Sequence, residues 1–135
     1  MSLGNTTETE ILSFIFDDTD PAWINATDFY LALHTSDPGE GGNQTTNEAA
    51  YTSYARVAVS RTSGFTVSGN TAQNAGQIQF PECTGSTSTA THFSIGTAST
   101  STGQIIAKGA LSASLSISNG IQPQFNAGSL TFTVD

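Results

Sequence analysis

Cations are the scarcest feature of this sequence. Arg56, Arg61 and Lys108 are the only three in 135 residues, against eleven Asp and Glu, and the net charge is −8. Nucleic-acid binding needs several phosphate-neutralising contacts, so three scattered cations exclude it as the main activity. An anionic membrane surface is excluded as a partner for the same reason. Cys83 is the only cysteine, so no intrachain disulfide can form, as expected for a chain made in a reducing cytoplasm. No cation neighbours Cys83 in sequence to stabilise a thiolate, and a packed thiol is expected there. No apolar run is long enough to span a membrane, and the start lacks the basic and apolar regions of a signal peptide.

Chemistry-bearing motifs are also missing. No Gly-x-Ser-x-Gly elbow and no phosphate-cradling glycine loop occurs. Asp18 and Asp20 match the first ligand positions of an EF-hand loop. Trp23 then stands where glycine is required and Phe29 where the bidentate Glu belongs, so the match fails. His34 and His92 have no third ligand at a metal-binding spacing, and they are expected to be solvent-facing or hydrogen-bonded structural residues. No enzyme activity, cofactor or metal is expected.

In place of charge the chain carries hydroxyls. Ser and Thr make up more than a quarter of it, whereas charged residues are only 10%. Thr suits a pleated, half-buried surface because its branched Cβ restricts χ1 in a way strands tolerate. From residue 28 onward the apolar residues recur with period two. Phe29, Leu31 and Leu33 alternate, as do Ala55, Val57 and Val59, then Phe93 and Ile95, then Leu111, Ala113, Leu115 and Ile117, and finally Leu130, Phe132 and Val134. Turn signals separate them at Ser36-Asp37-Pro38-Gly39, Ser68-Gly69-Asn70 and Ser118-Asn119-Gly120. About eight to ten short strands spaced near ten residues apart predict one all-β domain, an antiparallel β-sandwich of jelly-roll or immunoglobulin-like type.

The first 28 residues read differently, as a helix and lead-in to a sandwich over 29–135. Thr7 and Glu10 form a capping-box pattern, with Leu3 placed to staple the helix entry. Ile11, Leu12 and Ile15 share one helical face, and Pro21 blocks continuation. So short a helix must gain its stability by packing on something, either the sandwich or a partner. Residues 36–50 form a long polar loop of the kind that is usually functional or mobile. The candidate interface residues are therefore Ile11, Leu12 and Ile15 on the helix, Trp23 after it, Asp37 in the loop, and Tyr51 and Tyr54 beyond it. An exposed helix face and uncovered strand edges predict a homo-oligomer, dimer or trimer.

Several stretches together carry a family resemblance: 31–42 with its Asp-Pro-Gly turn, the Tyr-Ala-Arg-Val strand of 54–61, 65–70 with Ala72, 78–81, the Thr-His-Phe-Ser-Ile-Gly segment of 91–97, and 120–131. The chain resembles a family of small bacteriophage virion proteins described as head-decoration (cement) or tail-fibre proteins. The resemblance implies a non-enzymatic virion component assembled in the host cytoplasm, with the major capsid protein or tail subunits as partners. Small size and the lack of a stalk, coiled coil or repeat lead to capsid decoration as the expected role. A tail-fibre or receptor- or glycan-binding appendage is the alternative.

Overall fold

The computed structural model describes residues 1–134, and its regular structure is antiparallel strand apart from one short helix. In chain order these are β1 (Ser2–Leu3), helix α1 (Asn5–Phe16), β2 (Asp28–His34), β3 (Val57–Ser60), β4 (Phe65–Ser68), β5 (Thr71–Asn74), β6 (Ile78–Gln79), β7 (Ser88–Gly96), β8 (Ile105–Ile117), β9 (Gln124–Phe125) and β10 (Thr131–Thr133). They form a five-stranded sheet in the order β1-β8-β7-β2-β3, a three-stranded sheet β10-β5-β4, and a two-stranded sheet β6-β9. The expected all-β sandwich with a short N-terminal helix is what the chain adopts.

Apolar alternation fixes which side of each sheet turns inward. Leu31 and Leu33 of β2 sit opposite Ile95 and Phe93 of β7, and all four are buried. Aromatic rings then fasten the smaller sheets to the large one. Phe93 packs edge-on against Phe132 at 6.1 Å and against Phe125 at 5.9 Å, so one ring of the large sheet touches both of the others. Such pairs add about 0.5–1.5 kcal/mol each beyond their buried area. The β4–β5 hairpin turns through Gly69-Asn70, with Gly69 at φ +60, a conformation open to glycine without a Cβ penalty.

Three local expectations need correcting. The helix starts at Asn5 behind Gly4, not at a capping box. Thr7 Oγ1 instead donates to the Ile105 carbonyl at 2.9 Å, and Glu10 turns to Trp23. Leu3 does not staple the helix; it pairs with Ala107 as part of β1, so the lead-in contributes a strand to the sandwich. The strand marked by the alternation at 111–117 begins earlier, at Ile105, and is broken by a register shift between the partners of Ala90 and His92. Four β8 residues, 111–114, lie opposite the single Thr91 there, and the strand bulges.

Candidate functional site

The seven candidate interface residues divide sharply by exposure. Tyr51 is buried, its hydroxyl donating to the Pro81 carbonyl at 2.8 Å, and burial pushes its phenol pKa up to about 12. Tyr54 is half-buried. Its hydroxyl donates to Glu48 Oε1 at 2.9 Å and accepts from the Leu33 N–H at 3.1 Å, and burial raises its pKa strongly. Both rings therefore serve the interior of this chain and are not presented to a partner. Trp23 is also half-buried, donating from Nε1 to Glu10 Oε2 at 2.7 Å and packing edge-on against Phe29. Asp37 is exposed but engaged by Lys108, with Nζ 2.9 Å from Oδ1. The Lys108 hydrogen bond, helped by the Gly39 N–H, holds the Asp37 carboxyl below its usual pKa.

The loop at 36–50 is not the free element its composition suggested. Gln44 is fully buried, donating from Nε2 to the Tyr30 carbonyl and accepting at Oε1 from the Ala98 N–H. Gly96 and Gly103 make room for it, since a Cβ at either position would collide with the Gln44 side chain. Glu48, also in this loop, receives Arg56 through two hydrogen bonds, Nε to Oε1 at 2.7 Å and Nη2 to Oε2 at 2.8 Å. Arg56 further donates to the carbonyls of Ala98 and Ser101. Next to this network His34 is wholly buried, its Nδ1 2.8 Å from the Thr46 carbonyl. A carbonyl only accepts, so Nδ1 carries the proton and Nε2 accepts from Ser94 Oγ at 2.7 Å. Burial lowers the His34 pKa, which keeps the ring neutral. These polar groups knit the loop to the sheet: no buried side-chain N or O among the described residues is left without a partner.

The surface also leaves large apolar side chains open to partners. At the carboxyl end of α1, Leu12, Phe14, Ile15 and Phe16 are 58%, 49%, 61% and 82% exposed. They surround the last turn of the helix instead of lining one face, because the buried side of α1 is polar and centred on Thr7. Of the helix candidates Leu12 and Ile15 are therefore free, and Ile11 is half-buried. Phe14 and Phe16 belong with them. The sequence signal was an apolar run continuing to the last helical residue and then breaking into Asp17 and Asp18.

Two concavities open on the surface. One, of about 540 Å³, lies between the β8 bulge and residues 123–131, with Leu33 and Phe93 at its floor. The other, of about 260 Å³, opens between the five-stranded and three-stranded sheets and is walled by Phe29, Phe65, Val67, Ile95, Ile106 and Phe132. Neither collects a nucleophile with a base. Among the described residues no group of three His, Cys, Asp or Glu is placed to hold a metal ion. Cys83 is buried, its thiol donating to the Gly85 carbonyl at 3.1 Å.

Fold and surface together define a small β-rich module whose buried polar groups bond within the chain and whose surface carries an apolar patch at the end of α1. The sequence profile of the family described as podophage GP4 fiber I protein gp80 matches residues 2–133. The chain belongs to that family, and membership makes it a phage virion component assembled in the host. No curated protein matches it.

Proposed function

We propose that this protein is a structural subunit of a phage fibre, acting by binding other virion subunits and not by catalysis. The observation that carries this reading is the family match across 2–133, whose description names a fibre. That description favours the appendage alternative over the capsid-decoration role expected from size and charge. The structure supports a binding role through its rigid interior and the apolar end of α1. Tail subunits and further copies of this chain are the partners that fit.

The experiment is to assemble particles without this protein. Missing fibres, with heads as heat-stable as before, is the expected result. Intact fibres on heads that burst at lower temperature would return the assignment to capsid decoration.

A further inference from the structure

We infer that copies of this chain bind one another, the apolar end of α1 on one copy entering the open groove between the sheets of another. This goes beyond membership of a fibre, and it is a property of the isolated protein, measurable without the particle.

The helix end supplies the projecting half of the contact. Four large apolar side chains within residues 12–16 are each about half exposed or more. Scattered apolar residues are ordinary on a surface, but a contiguous group marks an interaction site. Asp17, Asp18 and Asp20 follow directly, all exposed, and none takes part in an ion pair among the described residues.

The groove supplies the receiving half. Phe29 and Ile95 of the large sheet face Phe65, Val67 and Phe132 of the small one across about 260 Å³, enough for an aromatic side chain. Val67 at its mouth is 72% exposed. No α1 residue lines the groove, so the helix of the same copy does not fill it.

Charge selects the occupant. Arg56 is taken by Glu48 and Lys108 by Asp37. Arg61 is left without a carboxylate among the described residues, and it lines this groove. Its Nη1 donates to the carbonyls of Trp23, Ile24 and Ala26, while the guanidinium lies over the Trp23 and Phe29 rings at 5.5 and 5.1 Å. Nε and Nη2 are not used in those bonds, and they remain as donors. The chain thus presents an apolar knob with unpaired acids behind it and an apolar groove with an unpaired cation in its wall. A second copy satisfies both.

Knob and groove lie on different elements, so two copies either exchange knobs reciprocally in a closed twofold dimer or pass them on from copy to copy in a ring or open filament. Covering the four knob residues removes on the order of a few hundred Å² from water per copy, which makes them the centre of an interface whose rim other residues supply.

The test uses the full chain carrying Phe16→Cys or Val67→Cys, both at exposed positions, with native Cys83 buried. Under mild oxidation an equal mixture should give a disulfide-linked dimer of the two variants, and each variant alone should give far less. Cross-links in Phe16→Cys alone but not in the mixture would overturn the inference, as would no cross-link at all. Sedimentation supplies the second readout. Ile15→Asp, folded by circular dichroism, should weaken self-association about tenfold or more. Association unchanged by Ile15→Asp, or a wild-type protein that stays monomeric at high concentration, would refute it. So would a wild-type chain that binds another virion protein through Phe16 while ignoring its own copies.

Discussion

Replacing Arg56 by alanine should be among the most damaging single changes in this protein. Its side chain is 3% exposed and Glu48 only 18% exposed, so both charges sit largely out of water. The guanidinium donates four hydrogen bonds, two to Glu48 and one each to the Ala98 and Ser101 carbonyls. Truncation leaves a shielded carboxylate with only the Tyr54 hydroxyl donating to it, and strips two carbonyls of their donor. Removing one partner of a buried pair costs about 3–5 kcal/mol, because the remaining charge stays desolvated. The control is Lys108→Ala. Its partner Asp37 is 51% exposed, and screening limits such a pair to about 0–1 kcal/mol. Thermal unfolding followed by circular dichroism should place Arg56→Ala about 10–20 °C below wild type and Lys108→Ala within a few degrees of it. A double-mutant cycle sharpens the result. Adding Glu48→Gln to Arg56→Ala should recover part of the loss, since it removes the stranded charge. Equal melting temperatures for the two single variants, or additive losses in the cycle, would refute the reasoning.

Gly96→Ala should cost about 1–3 kcal/mol by forcing Gln44 out of its cradle, and hydrogen exchange should show the 36–50 loop opening first. His34 should make stability pH-dependent. Its folded pKa is lowered from 6.5, so its contribution is complete above about pH 6.5 and lost as the pH falls towards the folded value, whereas a folded His34→Gln variant should lack that slope in chemical denaturation. Asp37 acts in the same direction at lower pH. Its folded pKa lies below 3.8, and the stability it adds is present above 3.8 and lost on acidification through the folded value. Because the Asp37 carboxylate is half exposed and screened, Asp37→Asn should change unfolding free energy by less than about 1 kcal/mol at neutral pH.

The strands were legible where side-chain alternation and turn chemistry agreed. Phe29, Leu31 and Leu33 marked β2, and Ser68-Gly69-Asn70 marked the β4–β5 hairpin, because both signals are local. What escaped depends on partners distant in sequence. Thr7 resembled a cap, yet it bonds a carbonyl 98 residues away. The 36–50 loop looked unattached because it has almost no bulky apolar side chains, and hydrogen bonds donated by Gln44 and accepted by Glu48 do the anchoring instead. Tyr51 and Tyr54 suited an interface by residue type and were claimed by the Pro81 carbonyl and Glu48. The groove was invisible for the same reason: Phe29, Phe65 and Phe132 meet only after two sheets have packed, so no short stretch of sequence carries it.

The central claim is that this chain is built into a phage fibre. Gold-labelled antibody against it, viewed on intact particles by electron microscopy, tests that most directly. Label should run along the fibres, with none over the capsid facets. Label distributed evenly over the head, with bare fibres, would contradict it.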